Sequence, residues 1–394
     1  MRRYLPVLAL LFVLLLAAFS SSPAAAAEGT SSSKSSVLCM PGIYTSNPGD
    51  CAPLGPSSYL TEMAEKGITF PLTPLPAKKP DFSYTYIDYR YGLIRTPNAP
   101  VYSSPQDAIS NNKKAAVSRI SAPFSYISYT EEYEENGKRA YMIEPGMWMG
   151  ATDVIRIGAV PLFQGLVFSR TPERSFGWVL TYLYPTEVIS KRTPGLQVQD
   201  YTGRVLGHQE IVQVYARADA PDGGWVMIGP DEWIPERVVA EVYPNTTPPE
   251  GVTNGRWIEV NLYEQTISVY EDRELVFATI MASGFEPLWT RPGLFKIYQK
   301  VESTPMRGSF SSDGSDAYYL EDVPWTMYFD EARALHGAYW RTQLGFPQSH
   351  GCVNLSVGDA RWLFEWANEG DWVWVHDPSG QTPTDPSLYT AGGA

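Results

Sequence analysis

Short apolar runs separated by turn residues fill the chain from about Phe82 to Tyr243. Aromatic and β-branched residues cluster or alternate over a few positions, as in 92–96 and 210–215, and Pro, Gly, Asp or Asn interrupts them. Runs of this length with a period of two residues are typical of strands. The pattern therefore predicts small barrels or sandwiches in this part of the chain.

An internal repeat lies within this segment. Residues 141–149 and 226–234 share Met, Ile, Pro and Trp at matching positions, at an offset of 85 residues. A pattern that recurs at a fixed distance is the signature of a duplicated structural unit. We therefore expect two related modules, over residues 81–160 and 161–243.

A change in composition marks the start of another domain. Residues 244–255 combine proline pairs with Asn-Gly, which is typical of a linker. Polar and apolar residues then alternate over 256–262, and a second apolar run covers 266–270. Together these runs predict an antiparallel hairpin that opens a domain over residues 256–377.

The end of that domain carries a helix signal and a strand signal. Ser356 is a plausible N-cap for a helix over 359–367, in which large apolar residues recur at helical spacing. Residues 372–375 alternate Trp and Val and predict a final strand. Residues 378–394 are rich in Pro, Ser and Gly and predict a flexible tail.

The N-terminus has the pattern of a secretory signal peptide. Arg2 and Arg3 precede an uncharged apolar run over 5–19, and Ala25 to Ala27 form a cleavage pattern. We therefore expect removal of residues 1–27 and export; an uncleaved membrane anchor is the alternative. Residues 28–80 follow as a partly disordered segment.

Composition narrows the function classes. The 394 residues suffice for two to three domains, and 43 acidic against 30 basic residues give a net charge of −13. A chain this acidic lacks the basic surface that binds phosphate backbones, so nucleic acid is not an expected partner. The fold class predicted is mainly β.

Cysteine usage is sparse and uneven. The three cysteines are Cys39, Cys51 and Cys352. Export permits disulfides, and turn residues between Cys39 and Cys51 favour a local pair. Cys352 is then left over, and a lone thiol in an oxidising compartment is either buried and inert or kept for its reactivity.

Two of the four histidines lie close to that thiol in sequence. His336 and His350 precede Cys352 by 16 and 2 positions, and an imidazole activates a thiol by taking its proton or by pairing with the thiolate. A cysteine acyl-transfer site is the leading interpretation. A metal site that also uses His376 and a set of buried structural residues are the alternatives.

These residues also carry a family resemblance. Residues 256–376 resemble the catalytic domain of L,D-transpeptidases of the YkuD type, through His336-Gly337, the stretch SHGCVN at 349–354 and Pro292-Gly293. The two upstream modules resemble bacterial SH3-like domains. The resemblance implies two small SH3-like barrels followed by a β-sandwich-type catalytic domain with a short helix, and neither a cofactor nor a metal.

The resemblance also implies roles for individual residues. Cys352 is the expected nucleophile and His336 the general base, with the Gly337 carbonyl orienting the ring and the Gly351 and Cys352 N–H groups binding the oxyanion. His350 is expected to shape the site around the thiol. The side chains expected to bind substrate are Ser349, Asn354, Tyr328 and Trp340, and Trp325 and Tyr339 are further aromatic candidates for a groove wall.

The implied activity is transfer of a peptidoglycan stem peptide. The enzyme would attack the diamino acid at position 3 of a tetrapeptide stem, release D-alanine and form a 3→3 cross-link with an amine acceptor. An L,D-carboxypeptidase or exchange enzyme and a non-catalytic wall-binding protein are the alternatives. Either way, stem peptides are the expected partners and the cell wall or membrane surface the expected location.

Overall fold

The computed structural model describes residues 56–121, 123–158, 160–183, 187–309 and 313–389. The chain divides into two units, residues 1–61 and 62–394. Helix α1 (Pro56–Glu65) begins in the first unit. The predicted signal peptide and the predicted Cys39–Cys51 disulfide lie outside the described residues. None of the helices within them is long and apolar enough to cross a membrane.

Strands dominate the described residues, which confirms the mainly β fold class. Over residues 81–160, one sheet has the order β4-β3-β8-β7-β6, and β2 pairs with β5 and β9. The elements as far as β9 are β1 (Ala77–Lys78), β2 (Arg90–Ile94), β3 (Ala99–Tyr102), α2 (Pro105–Ser110), β4 (Ala116–Ile120), β5 (Phe124–Tyr129), β6 (Glu131–Glu135), β7 (Lys138–Glu144), β8 (Met147–Gly150) and β9 (Val154–Arg156).

The next segment repeats this strand order, as the repeat in the sequence predicts. One sheet is ordered β13-β12-β17-β16-β15, and β11 pairs with β14 and β18. The SH3-like character of the two modules stays a prediction. The strands are β10 (Leu166–Phe168), β11 (Phe176–Val179), β12 (Ile189–Lys191), β13 (Tyr201–Val205), β14 (Ile211–Gln213), β15 (Ala216–Ala220), β16 (Gly223–Gly229), β17 (Glu232–Pro235) and β18 (Val239–Val242).

The rest of the chain contains the longest strands. These elements are β19 (Arg256–Asn261), β20 (Thr266–Glu271), β21 (Glu274–Ile280), β22 (Gly293–Lys296), β23 (Gln299–Gly308), β24 (Tyr318–Asp330), β25 (Arg333–Gly337), β26 (Val353–Leu355), α3 (Val357–Trp366) and β27 (Trp372–His376). Single-turn 3₁₀ helices occupy Phe82–Thr85, Lys113–Ala115, Thr181–Leu183, Glu236–Val238 and Pro386–Leu388.

Local signals in this part are confirmed. Strands β19 and β20 form the predicted hairpin, and β27 is the predicted final strand, parallel to β19. Ser356 caps helix α3 by accepting a hydrogen bond from the Asp359 N–H at 3.1 Å. The helix buries Val357, Ala360 and Leu363 on one face, as its apolar spacing predicts.

Two large sheets enclose the main core. The first has the order β1-β10-β21-β20-β19-β27-β22, and the second has the order β26-β25-β24-β5-β2-β9, with β23 also paired to β24. Apolar side chains of both sheets and of α3 fill the space between them. This arrangement is a β-sandwich with one helix. The core side chains include Ile258, Val260, Phe277, Met327, Leu335, Val353 and Leu363.

Both sheets extend across the predicted module boundaries. β10 pairs with β21 through Leu166 and Val167, and β5 runs parallel to β24 with Phe124 opposite Tyr318. Residues 81–243 therefore supply strands to the sheets that build the C-terminal domain. The boundaries themselves stay predictions.

The predicted N-terminal segment and the tail also contain described contacts. Met63, in the last turn of α1, and Ile68, just after the helix, pack with Met227 of β16. Within the tail, the Asp377 carboxylate accepts hydrogen bonds from Ser379 and Thr382. Local order therefore reaches into both segments.

Candidate active site

The Cys352 thiol lies in a cleft at one end of the second sheet. Most of the lining comes from β24, from β25 and the loop after it, and from the 349–354 stretch. The lining residues are Phe124, Met306, Tyr318, Leu320, His336, Trp340, Arg341, Ser349, His350, Cys352 and Asn354. A wider cavity of about 1050 Å³ near Glu286 and Asp377 has neither the thiol nor an imidazole in its lining.

Strand register brings the two central residues together. β25 and β26 are parallel, with His336 opposite Asn354, and Cys352 stands two positions before Asn354. Residues two apart along extended chain point to the same side. Cys352, Asn354 and His336 therefore share one face, although the cysteine and the histidine are 16 positions apart in sequence.

The backbone before the thiol makes a turn that favours glycine. Gly351 has φ +120°, and a Cβ there would lie 3.2 Å from Arg333 Nε. The Gly351 carbonyl accepts a hydrogen bond from Thr290 Oγ1 at 2.9 Å, and that hydroxyl accepts one from the Gly284 N–H. Thr290 thus fixes the turn that presents Cys352.

Burial keeps the central pair uncharged at rest. The Cys352 thiol is 4% exposed, and burial raises its pKa to about 11 although Arg333 opposes the shift. Burial also lowers the pKa of His336 to about 4, against the effect of its hydrogen bond to Gly337. Loss of solvation disfavours both the thiolate and the imidazolium, so neutral thiol and neutral imidazole are the resting forms.

The surroundings of His336 select one tautomer. Its Nδ1 lies 3.3 Å from the Gly337 carbonyl oxygen. Because a carbonyl only accepts, Nδ1 carries the proton and Nε2 is left as the basic nitrogen. The ring also lies along Trp340, with centroids 5.7 Å apart. The predicted roles of Gly337 and His336 are therefore geometrically compatible.

Ser349 and His350 line the cleft, and their side chains contact neighbouring parts of its wall. Ser349 Oγ donates to the Cys352 carbonyl and accepts from the Gly351 N–H at 3.2 Å. The His350 ring stacks on Tyr318, with centroids 5.1 Å apart. Both side chains shape the loop around the thiol, and the Gly351 N–H predicted to bind an oxyanion has an internal partner.

The predicted substrate-binding residues separate into two groups. Trp340 and Asn354 line the cleft with Ser349, although the Asn354 amide lies 3.4 Å from the Ala282 carbonyl. Tyr328 is not among the lining residues, and its ring lies along Tyr298 at 6.1 Å between centroids.

Neither of the two other aromatic candidates lines the cleft. Tyr339 is 1% exposed and stacks on Tyr91 at 3.5 Å. Trp325 packs against Phe364 at 5.4 Å.

A buried ion network supports the strands behind the thiol. Asp330, at the end of β24, accepts hydrogen bonds from Arg291 Nε and Arg333 Nη1, both at 3.0 Å. Arg291 stands within the stretch that resembles the family's Pro-Gly element, where sequence alone assigns it no role. In the structure it links the loop before β22 to β24.

Several lining residues escaped the sequence analysis. Arg341 directly follows Trp340, and its position in the histidine-to-cysteine stretch was the available signal. Tyr318 and Met306 lie on remote strands, and Phe124 comes from the first module. Nothing local in sequence marks these three, because only the pairing of β5, β23 and β24 brings them to the cleft.

The alternative metal set is not assembled. His376 lies on β27, where its Nε2 is 2.8 Å from Glu259 Oε1. Across the described ranges, no three His, Cys, Asp or Glu side chains come together in a group that would hold a metal ion.

Comparison with known proteins shows that this domain is similar to L,D-transpeptidase catalytic domains. Residues 255–375 match the family model of the YkuD L,D-transpeptidase catalytic domain. A Bacillus subtilis (strain 168) protein named "Putative L,D-transpeptidase YciB" is 27% identical over 125 residues, which are 28% of this chain and 59% of that protein. The chain thus spans little more than half of that curated relative.

Solved L,D-transpeptidase structures are also similar over part of the chain. The Enterococcus faecium catalytic domain acylated by ertapenem is 27% identical over 32% of this chain and all of that one, with a TM-score of 0.29. The Stackebrandtia nassauensis L,D-transpeptidase is 26% identical over 35% of this chain and 63% of that one, with a TM-score of 0.25.

Proposed function

We propose that this protein is a peptidoglycan L,D-transpeptidase that forms 3→3 cross-links through a thioester on Cys352. The premise is the L,D-transpeptidase catalytic domain that residues 255–375 contain. The observation that carries the proposal is the placement of Cys352, His336 and Asn354 on one face of a cleft, within that domain. A buried thiol beside a buried neutral imidazole suits acyl transfer.

The first half of the reaction forms the thioester. As Sγ attacks the carbonyl carbon of the third stem residue, His336 Nε2 takes the thiol proton, so that the buried charges appear only during attack. The carbonyl carbon–nitrogen bond then breaks, and the imidazolium returns the proton to the nitrogen of the departing D-alanine. For the Gly351 N–H to bind the oxyanion, it must exchange its 3.2 Å contact with Ser349 Oγ for the substrate.

The second half transfers the acyl group to an amine. The side-chain amine of another stem attacks the thioester carbonyl, the carbon–sulfur bond breaks, and the amine loses a proton as the thiol regains one. A thioester transfers readily to amines, so the step needs no nucleotide. Water as acceptor gives the carboxypeptidase reaction, and a free amino acid gives exchange.

The decisive experiment uses purified protein and a disaccharide-tetrapeptide. We expect mass spectrometry to show a dimer that has lost one D-alanine, and a thioester adduct on the peptide that contains Cys352. The Cys352→Ala variant should give neither. Tripeptide without dimer would identify the carboxypeptidase instead, and wild-type activity in Cys352→Ala would refute the assignment of the nucleophile.

A carbapenem supplies an independent probe of the same thiol. Because the similar E. faecium domain was solved in a form acylated by ertapenem, we expect ertapenem to add covalently to Cys352. Intact-protein mass spectrometry of wild type and Cys352→Ala tests this. No adduct under conditions of substrate turnover would contradict the expected pocket.

The place of action is part of the proposal. The signal pattern in residues 1–27 supports export, and the cell wall that the proposed reaction would cross-link lies outside the membrane. Fractionation of cells that express the tagged chain tests this, with the cell wall or membrane surface as the expected fraction. Retention in the cytosol would contradict it.

A further inference from the structure

Arg341 brings a positive charge into the cleft beside the thiol. It follows Trp340 in the loop after β25, and its N–H bonds to the Ala338 carbonyl at 3.1 Å. The guanidinium lines the same cleft as Cys352, His336 and His350. Its charge contributes to lowering the pKa of both imidazoles, which places it within electrostatic range of each.

This guanidinium has no acidic partner in the described part of the chain. Its Nη1 and Nη2 donate to the side-chain oxygen and the carbonyl of Gln348, at 3.2 and 2.6 Å. Both acceptors are neutral, and the buried Nε has no hydrogen-bond partner there. Three of the five guanidinium N–H donors therefore remain for another acceptor.

The energetics favour an anionic ligand. Burying a charge without a counter-charge is costly, and burial lowers the pKa of Arg341 accordingly. Arg333, the fully buried arginine beside the site, pairs with Asp330, whereas Arg341 is half-buried. Within the described residues, the hydrogen-bond acceptors of the Arg341 guanidinium are only the amide oxygens of Gln348. The planar guanidinium matches the two oxygens of a carboxylate.

We propose that Arg341 is a specificity residue that binds the carboxylate of the amino acid released in the first step. The inference rests on the proposed function for the identity of the substrate. In a tetrapeptide stem that carboxylate is attached to the carbon next to the scissile nitrogen, so it lies close to the thiol during attack. Donors that end in a free carboxylate at this position are then preferred over amidated or longer ones.

The first test compares two donors that differ only at their end. These are a tetrapeptide with a C-terminal carboxylate and the same peptide with a C-terminal amide. In wild type we expect kcat/KM for the acid to exceed that for the amide by at least about thirtyfold, as for a charged hydrogen-bonded pair. In Arg341→Gln the ratio should fall to within about threefold of unity, and Arg341→Lys should lie between.

A matched control separates local recognition from net charge. Arg119→Gln removes one positive charge at an exposed site where Nη1 contacts the Asn98 carbonyl. This variant should keep the wild-type acid-to-amide ratio. Equal ratios in wild type and Arg341→Gln, with both variants folded by circular dichroism, would overturn the inference.

The second test needs no peptide substrate. Iodoacetate and iodoacetamide both alkylate a thiol with loss of iodide, but only iodoacetate carries a carboxylate. We expect the iodoacetate-to-iodoacetamide rate ratio at Cys352, read by peptide mass spectrometry, to be about tenfold higher in wild type than in Arg341→Gln. Arg119→Gln should match wild type, and an unchanged ratio in Arg341→Gln would count against the carboxylate site.

The two tests distinguish the possible failures. If wild type prefers iodoacetate but does not turn over either tetrapeptide, the carboxylate site stands and the proposed function is wrong. If wild type cross-links both tetrapeptides equally well, the proposed function stands and Arg341 does not read the carboxylate.

Discussion

Cys352 and His336 are both held in their neutral forms by burial. The pKa of the thiol is raised to about 11 and that of the imidazole is lowered to about 4. A preformed thiolate–imidazolium pair would need the opposite shifts. In the proposed reaction the pair therefore acts by proton transfer during attack, and the neutral resting thiol reacts slowly with small oxidants.

Alkylation kinetics test this neutral pair. With a thiol pKa of about 11, the thiolate fraction rises about tenfold for each pH unit below that value. We expect the iodoacetamide rate at Cys352 to increase about tenfold from pH 8 to 9 and again from pH 9 to 10. A small unburied thiol in the same buffers should level off near its ordinary pKa, about 8.5; a plateau for Cys352 below pH 8 would indicate an ion pair instead.

Three elements around the thiol depend on one carboxylate. Asp330 is buried at the end of β24 and binds Arg291, from the loop before β22, and Arg333 at the start of β25. Arg333 also lowers the pKa of Cys352 and stands beside Gly351. The buried Arg333 and the half-buried Arg291 converge on a single acid, so the alignment of these strands rests on that charge.

Removal of the charge should therefore destabilise the fold. We expect Asp330→Asn to lower the free energy of unfolding by about 3 to 5 kcal/mol, because it removes the negative charge that faces the buried Arg333 guanidinium. Urea unfolding measures this. The matched control is Asp200→Asn, whose partner Arg192 is exposed, and which should cost less than about 1 kcal/mol. Similar losses in the two variants would contradict the role of the network.

One buried and two half-buried carboxyl groups join the upstream modules to the C-terminal domain. Each of three acids in the C-terminal domain accepts a backbone N–H from the upstream residues at 2.8 to 2.9 Å. Burial raises the pKa of each acid, to about 6 for Asp359 and about 7 for the two glutamates. The pairs are Gly165 with Asp359, Glu241 with Glu264 and Ser128 with Glu321.

These three carboxyl contacts make the stability of the fold depend on pH. The pKa of Glu321 is about 7 in the fold against an ordinary 4.5, so the folded state binds more protons between those values and stability falls as pH rises through them. Glu321→Gln cannot ionise. The free energy of unfolding of this variant, taken relative to that of wild type, should therefore increase by about 2 to 3 kcal/mol between pH 5 and pH 8.

Thermal unfolding at pH 5 and pH 8 measures this gain. The same substitution at exposed Glu302 is the control, and its difference from wild type should not change with pH. If the stability difference between Glu321→Gln and wild type is also the same at pH 5 and pH 8, the Glu321 carboxyl does not titrate in this range.

Shared sheets and a shared core predict that the C-terminal domain is not autonomous in this protein. Trp257 and Tyr270 pack against Phe176 and Trp178 of the second module. A fragment of residues 256–394 would expose these side chains and leave β24 without β5. We expect that fragment to aggregate or bind a hydrophobic dye, while residues 62–394 fold; size-exclusion chromatography distinguishes them. A monomeric, active 256–394 fragment would contradict this.

Local patterns were sufficient to predict the elements and to bring His336 and Cys352 to attention as neighbours in one cleft. Period-two alternation predicted β19 and β20, Ser356 marked the start of α3, and the repeat at an offset of 85 residues predicted two modules with one strand order. Clustering of His336, His350 and Cys352 predicted the centre of the cleft. These inferences succeed because they depend on neighbours within a few residues or on a motif within one short stretch.

Long-range pairing decided the remainder. The alternation of polar and apolar residues indicates that Glu259 and Asn261 face solvent. Both are nevertheless buried, because other segments cover both faces of the first sheet. Phe124 enters the cleft because β5 joins β24, and Arg341 is left without an acid because the loop folds back on Gln348. Local spacing therefore specified which groups are candidates for reaction. Burial and strand pairing depend on residues far away in the chain, and they set the protonation of those groups and built the walls around them.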